Sequence, residues 1–142
     1  MEAGHCIKIL DPYEWMPGHG ENSVEISTKR GEGLTVVVAY DSEDGEEQEK
    51  KIKFTGVSAF YRSSFPGSDM LRVTYSAKNK EDISFGSLVE YPESEAARAW
   101  TEYWHQSCGV TRQIKHYRWL FLSENLRLEV FAEGVQWEDH SS

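Results

Sequence analysis

The sequence predicts an α+β domain, predominantly antiparallel β, with a curved, sandwich-like or barrel-like sheet and one amphipathic helix before a C-terminal β-hairpin. Three observations predict this class. Before residue 90, short segments with alternating or β-branched character are bounded by Gly, Pro, Asn or Asp. Residues 94–108 have apolar residues at helical spacing. Residues 114–131 then have the pattern of two strands around a polar turn.

The first half of the chain is expected to be mostly strand. Leu34–Tyr40 is apolar at both alternating sets of positions, which favours a central strand covered on both sides. Lys51–Phe54 alternates lysine with Ile52 and Phe54, as expected for its hairpin partner with one wet face. The predicted strands are Cys6–Leu10, Ser23–Thr28, Leu34–Tyr40, Lys51–Thr55, Val57–Arg62, Met70–Tyr75 and Ile83–Val89.

The helix is predicted within the segment PESEAARAWTEYWHQSCG. Ser94 is the expected N-cap, after Pro92, and Gly109 is placed to end the helix in the left-handed conformation. Glu93 and Glu95 complement the positive end of the helix dipole. One apolar stripe results, and its residues are Ala96, Ala99, Trp100, Tyr103 and Trp104.

The C-terminal hairpin has apolar residues on both faces, so we expect both to be partly buried. A turn at Ser123, Glu124 and Asn125 sets the register. It pairs Leu122 with Leu126 and Leu120 with Leu128 on a face that we assign to the main core. The opposite face then pairs Tyr117–Phe131, Trp119–Glu129, Phe121–Arg127 and Lys115–Glu133. We expect the helix to lay its Trp100, Tyr103 and Trp104 stripe on this second face.

Composition limits the domain organisation and the partners. The chain of 142 residues has the length of one domain, 1–142, and its five Trp, seven Tyr and six Phe suffice for a core. With 15 basic and 24 acidic residues, the net charge of −9 disfavours nucleic-acid and membrane binding. Without a signal-peptide pattern or an apolar run long enough to span a bilayer, we expect a cytoplasmic protein.

The motifs of catalysis and ligand binding are weak. Cys6 and Cys108 are too few for a disulfide framework, and the zinc set that they would form with His5 and His105 lacks the usual ligand spacing. There is no G-x-S-x-G elbow and no phosphate-binding glycine loop. We therefore predict no cofactor, no metal and no catalytic residue.

The segment DSEDGEEQE, residues 41–49, has six carboxylates around Gly45. Asp44-Gly45 is a favoured turn pair, so the segment is expected to be a hairpin loop between the strands at 34–40 and 51–55. A contact patch for a basic partner is the functional alternative, and calcium binding is a third, although Gly45 comes one position too early for an EF-hand.

The segment KHYRWLFLSENLRLEVFAE resembles the closing strands of small bacterial β-rich proteins that serve as immunity proteins or are uncharacterised, and IKFTGVSAFYRSSF has a similar texture. The resemblance covers the final third of the chain and this earlier segment. It implies a non-enzymatic inhibitor that covers the basic active site of a toxin with an acidic face. It supplies no site residue position by position.

We therefore expect a non-enzymatic protein-binding module of the immunity or inhibitor type, with a basic, toxin-like protein as partner. Charge alone selects the contacts Glu43, Asp44, Glu46 and Glu47. The alternative is a small-molecule or lipid carrier with an aromatic-lined cavity. An enzyme with His105 or His116 as general base is the other competitor, and it requires one of them in a cleft beside a carboxylate.

Overall fold

Strands make up most of the chain in the computed structural model, which describes residues 1–29, 33–64, 73–75 and 86–138. The elements are β1 (Glu2–Gly4), β2 (Ile7–Leu10), a 3-10 turn (Pro12–Glu14), β3 (Ser23–Lys29), β4 (Gly33–Asp41), β5 (Glu47–Ser64), β6 (Thr74–Tyr75), β7 (Leu88–Tyr91), α1 (Glu95–Cys108), β8 (Lys115–Phe121) and β9 (Leu126–Trp137). The predicted positions 70–72 and 83–85 lie outside the described residues.

Seven of the described strands form one antiparallel sheet in the order β2-β7-β8-β9-β5-β4-β3. β1 and β6 form a separate parallel pair. The predicted α+β class, predominantly antiparallel with one helix before a C-terminal hairpin, is confirmed. The sheet is not closed into a barrel, because β2 and β3 lie at its two edges in the described part of the chain.

β4 is central, as its sequence predicts, since it pairs with β3 on one side and β5 on the other. Its alternate side chains from Leu34 to Tyr40 are buried, whereas Val37 on the opposite face is only half-buried. Its partner strand, β5, has the expected solvent-exposed face. Ile52 and Phe54 are fully buried, whereas Lys51 is exposed and Lys53 is half-buried. β4 is therefore fully covered on one face only.

The two strands predicted at 51–55 and 57–62 are one continuous strand, β5. The strand continues through Gly56, which has a φ of +60°. The register with β9 shifts just after it, between Val57 and Ala59. The positive φ favours glycine at position 56, and a Cβ would also come within 2.6 Å of the Glu133 side chain, which would have to move. Gly56 therefore allows an irregularity in a long strand, in the manner of a β-bulge.

The sheet curls around its main core. Phe54 of β5 contacts Tyr117 of β8 across the intervening β9, with ring centroids 5.4 Å apart. Val38 of β4 lines the same interior space as Trp119 of β8, although β9 and β5 separate the two strands in the sheet. The concave face is thus the main hydrophobic core, and it includes Leu34, Val36, Ile52, Leu88, Phe121, Leu128 and Val130.

The helix begins and ends as predicted. Ser94 caps its first turn by accepting a hydrogen bond from the backbone N–H of Ala97. Gly109 follows the last turn with a φ of +65°. The contact face is rotated from the predicted stripe: Ala96, Ala97, Trp100 and Trp104 pack towards Phe131, whereas Tyr103 is 50% exposed and Ala99 is exposed.

The predicted register of the C-terminal hairpin is wrong by one residue. Phe121 pairs with Leu126, Trp119 with Leu128, and Arg118 with Glu129. The turn therefore includes Leu122, which is 39% exposed instead of buried in the core. Ser123 donates a hydrogen bond to the carbonyl of His19, and the Glu124 N–H donates to the Glu21 carboxylate, so the segment before β3 fixes the wider turn.

The corrected register exchanges the two faces of β8, whereas those of β9 are as predicted. Tyr117, Trp119 and Phe121 lie in the main core together with Leu126, Leu128, Val130 and Ala132. The outer face instead has His116, Arg118 and Leu120 alternating across from Phe131, Glu129 and Arg127. Both faces are buried, as predicted, and α1 covers the outer face at Phe131. None of the described residues belongs to a helix with the length and apolarity needed to cross a bilayer.

Candidate functional sites

The acidic segment forms the loop of the β4–β5 hairpin, as predicted. Strand pairing continues to Asp41 opposite Glu47, and the turn is closed by hydrogen bonds from the Ser42 N–H to the Glu46 carbonyl (2.8 Å) and from the Gly45 N–H to the Ser42 carbonyl (2.9 Å). Gly45 has a φ of +80°, which fits its place after Asp44. The carboxylates are therefore presented on a fixed backbone.

The four predicted contacts, Glu43, Asp44, Glu46 and Glu47, are all exposed. None of them has a hydrogen bond or an ion pair to another side chain in the described part of the chain. Asp41 by contrast accepts a 2.8 Å hydrogen bond from the Asn22 side-chain amide. Like charges facing each other across a hairpin repel, so the loop concentrates negative charge that an opposing cation would stabilise.

A buried polar cluster lies between α1 and the outer face of the sheet. Its centre is His116, which has no exposed surface. Its Nδ1 lies 2.8 Å from the Ser94 hydroxyl, and its Nε2 lies 2.6 Å from the Glu129 carboxylate. Phe131 stacks on the imidazole at 4.5 Å. The cluster links the start of the helix to both strands of the hairpin.

The hydrogen bonds of this cluster run in one direction. The Ser94 oxygen already accepts the Ala97 N–H, so its own proton is available for His116 Nδ1. The Nε2–H then donates to Glu129, whose second carboxylate oxygen accepts from the Tyr75 hydroxyl. We assign this tautomer because both ring nitrogens then have a hydrogen-bond partner. The helix cap, the histidine and the carboxylate act as one unit.

Serine, histidine and a carboxylate are also the groups of a hydrolytic triad, but this arrangement does not present a nucleophile. Ser94 is 3% exposed, Glu129 is 1% exposed, and the serine oxygen is occupied as a helix cap. A nucleophilic hydroxyl has to reach a substrate carbonyl at bonding distance. His116 is therefore beside a carboxylate, as the enzyme hypothesis required, but it lies inside the protein and not in a cleft. His105, the other predicted base, is exposed on the last turn of α1.

Arg118 completes the cluster on the side of β7. Its Nε lies 3.5 Å from Glu129, an ion-pair contact longer than a hydrogen bond, and its guanidinium stacks on Tyr75 at 4.1 Å. It also donates to the Tyr91 hydroxyl at 3.4 Å. Burial, followed by the charge of Glu129, raises the pKa of Tyr75 above its ordinary value. Sequence reasoning noted His116 and Ser94 but missed Tyr75, Arg118 and the role of Glu129.

The buried tyrosines predict a loss of stability at alkaline pH. Burial raises the pKa of Tyr91 and of Tyr117 from 10.0 to about 12. In the unfolded chain they ionise near pH 10, so above that pH the folded state binds more protons and the free energy of unfolding falls until about pH 12. Each tyrosine accounts for about 1–1.5 kcal/mol of this loss by pH 11, about half of the full effect. Urea unfolding from pH 8 to pH 11 measures it, and the Tyr91→Phe/Tyr117→Phe double variant should show a shallower decline.

An open aromatic groove lies beside α1 on the outer face. It has a volume of about 260 Å³ and is lined by Met1, Tyr61, Val73, Ala96, Ala99, Trp100, Tyr103 and Phe131. The interior of the curled sheet is different, since the space between Val38, Trp119 and Phe121 leaves no room for a water molecule. Among the described residues, the surface groove therefore offers ligand-sized apolar space, whereas this part of the main core does not.

The described residues contain no group of three or more His, Cys, Asp or Glu side chains arranged for a metal ion. Cys6 is buried near Val89 and Tyr91, while Cys108 is exposed at the end of the helix. His5 instead lies 3.4 Å from Glu93.

Comparison of the chain with protein-family models, with curated proteins and with solved structures finds no match in any of the three.

Proposed function

We propose that this protein is a non-enzymatic protein-binding module of the immunity or inhibitor type, and that it neutralises a basic partner through the loop of the β4–β5 hairpin. The observation that supports this proposal best is the set of four exposed carboxylates at Glu43, Asp44, Glu46 and Glu47, which have no cationic side-chain partner within the described chain. The net charge of −9 extends the same negative potential over the molecule.

The shape of the loop supports binding with little loss of entropy. Two backbone hydrogen bonds close the turn, and paired strands hold it on both sides. A loop that is ordered before binding avoids part of the entropic cost of forming an interface. Complementary charge then speeds encounter and disfavours acidic partners. A toxin whose active site is basic, such as a nuclease with a phosphate-binding cleft, fits this chemistry.

The test is the quadruple charge reversal Glu43→Lys, Asp44→Lys, Glu46→Lys and Glu47→Lys. The wild-type protein, used as bait in lysate and secreted fractions of the source organism, should capture a basic protein that rising NaCl releases. The reversed loop should bind this partner at least about 100-fold more weakly, because like charges across an interface cost several kcal/mol. Its unfolding free energy should change by less than about 0.5 kcal/mol, since the altered side chains are exposed.

A matched control separates local contact from net charge. Reversal of Glu2, Glu14, Glu25 and Glu138 changes four exposed acids elsewhere and gives the same net charge. This variant should retain most of the affinity. Equal loss in both quadruple variants would reduce the role of the loop to general electrostatics, and unchanged binding of the loop variant would remove the loop from the interface.

A carrier of small molecules or lipids is the second candidate, and the aromatic groove beside α1 favours it. Ligand sites are concave and mostly apolar with a few polar groups, and this groove has Tyr61, Trp100 and Tyr103 in its lining. Native mass spectrometry of the purified protein distinguishes the two functions. A co-purified small molecule without a protein partner would favour the carrier.

A further inference from the structure

The groove beside α1 is bounded by four aromatic rings from three elements. Trp100 and Tyr103 come from the helix, Tyr61 from β5 and Phe131 from β9. Its volume of about 260 Å³ is slightly below the range of sites for drug-sized ligands, so it suits a small ligand or one compact head group. One of these rings, Phe131, contacts the buried cluster below, because it stacks on His116.

The rings differ in orientation. Trp100 and Tyr103 are nearly perpendicular, at 84° with centroids 5.9 Å apart, and Tyr61 and Phe131 are at 83° and 6.2 Å. Each pair has the edge-to-face geometry that the quadrupoles of aromatic rings favour. A groove bordered by rings in several orientations presents both ring faces and ring edges to an occupant. The negative faces attract cations.

Other aromatic rings of this protein already have cationic partners. Arg112 lies 4.3 Å from the Trp104 ring, Arg118 lies 4.1 Å from Tyr75, and Lys50 lies 5.6 Å from Trp15. Within the described chain, the four groove rings have no such partner, and no Lys, Arg or His side chain lines the groove. The exposed Tyr61 and Tyr103 rings are thus available to an external cation.

Acidic side chains lie on the same side of the helix. Glu95 precedes Ala99 by four residues and Glu102 follows it by three, so both neighbour the groove-lining Ala99 on the helix surface. Both are exposed. Arg98 lies between them on the helix surface and offsets one of the two charges, so the rim keeps a net negative charge. This charge complements a cation with an apolar surface better than a neutral apolar ligand.

We propose that this aromatic groove binds an alkylated ammonium group, of the quaternary type found in choline. Such a cation has methyl groups that pack against the rings and a charge that the ring faces and the rim attract. A primary ammonium is more strongly hydrated and loses more on entering an apolar site. The site is separate from the acidic hairpin loop, and the proposal does not depend on the proposed partner.

The test is a titration of the full chain with choline chloride, followed by isothermal calorimetry or by NMR shifts of the Trp indole N–H signals. The comparison ligand is 3,3-dimethylbutan-1-ol, which has the shape of choline without the charge. Choline should bind at least about 10-fold more tightly than this alcohol, in line with a desolvated cation–π site. Equal affinity for both ligands, or no binding of choline, would overturn the proposal.

Matched variants locate the site. Tyr61→Leu and Tyr103→Leu should each weaken choline binding by about 5-fold or more, whereas Phe60→Leu should not. Phe60 is the fitting control because it is 40% exposed, close to the 41% of Tyr61, on the opposite face of the same strand. Full affinity in both tyrosine variants would place choline elsewhere and contradict the assignment.

Two further measurements define the source of the cation. Phosphatidylcholine vesicles that co-sediment with the protein, with phosphatidylglycerol vesicles as the negative comparison, would identify a lipid head group. Choline binding without vesicle binding would identify a free small cation.

Glu95→Gln/Glu102→Gln should weaken choline binding about 3-fold and remove its salt dependence. The lysine reversals in the hairpin loop should leave choline affinity within about 2-fold, so failure of the two proposals can be told apart.

Discussion

Replacing Glu129 by alanine is expected to lower the free energy of unfolding by about 3–5 kcal/mol, because removing one partner of a buried ion pair leaves the others uncompensated. His116 and Arg118 would lose their carboxylate, and the Tyr75 hydroxyl would lose its acceptor. Water cannot easily replace it, since Glu129 is 1% exposed and His116 is fully buried. Urea unfolding followed by circular dichroism measures the change.

Two comparisons identify the cause. Glu129→Gln keeps the shape and one acceptor oxygen but removes the charge, so its effect should be smaller, about 1.5–3 kcal/mol. Glu25→Ala, at an exposed position of β3, should change stability by less than about 0.5 kcal/mol. A change of less than about 1 kcal/mol for Glu129→Ala would mean that the carboxylate is not an essential member of the buried polar cluster.

Ser94, His116 and Glu129 stabilise the fold in this cluster, although side chains of these types also occur in catalytic sites. Ser94 ends one side of the chain of hydrogen bonds as the cap of α1, and Glu129 ends the other in the middle of β9. Loss of Glu129 should therefore also disturb the helix and the adjacent groove, where Phe131 stacks on His116. Phe131 therefore contacts both the buried cluster and the surface groove, and of these two the groove is the one open to a ligand.

Local signals predicted the helix and the acidic loop well. Ser94 and Gly109 define the ends of α1 through contacts within a few residues, and Asp44-Gly45 defines a turn through its own backbone preferences. Such features need little information from the rest of the chain. The exposure of the loop acids also follows from their charge, since an unpaired carboxylate is costly to bury.

The hairpin register required distant information. A turn centred on Ser123–Asn125 satisfies the local pattern, but the observed turn also includes Leu122 because Ser123 and Glu124 bond to residues 19 and 21. A shift of one residue moves every side chain to the other face of a strand. For this reason the register predicted from the sequence assigns the aromatic residues of β8 to the helix side and does not place Arg118 opposite Glu129.

The buried polar cluster could not be predicted from the spacing of its residues in the sequence. Tyr75, Ser94, His116 and Glu129 come from β6, the helix cap, β8 and β9, and no short motif relates them. With the observed register, strand alternation alone would place His116, Arg118 and Glu129 on one face. The signal was therefore present in the sequence, but only together with the tertiary contacts that fix the turn.

Replacing Trp119 by alanine is expected to destabilise the protein by about 3–5 kcal/mol, the usual range for a large aromatic side chain in a packed core. Trp119 is 1% exposed, stacks on Phe121 at 4.5 Å, and donates from its indole N–H to the carbonyl of Gly86 at 3.1 Å. Its removal would leave a cavity between β8 and the opposite side of the curled sheet, and an unpaired carbonyl. Equilibrium unfolding in urea quantifies the loss.

Trp119→Phe and Leu122→Ala separate the contributions and test the register. The phenylalanine keeps much of the packing but not the hydrogen bond to Gly86, so a smaller loss of about 1–3 kcal/mol is expected. Leu122 is 39% exposed in the turn, and its truncation should cost less than about 1 kcal/mol. The register predicted from the sequence places Leu122 in the main core and Trp119 under the helix. It therefore predicts a larger loss of stability for Leu122→Ala than the observed register does. A larger loss for Leu122→Ala than for Trp119→Ala would therefore contradict the observed strand pairing, and with it the placement of Arg118 opposite Glu129.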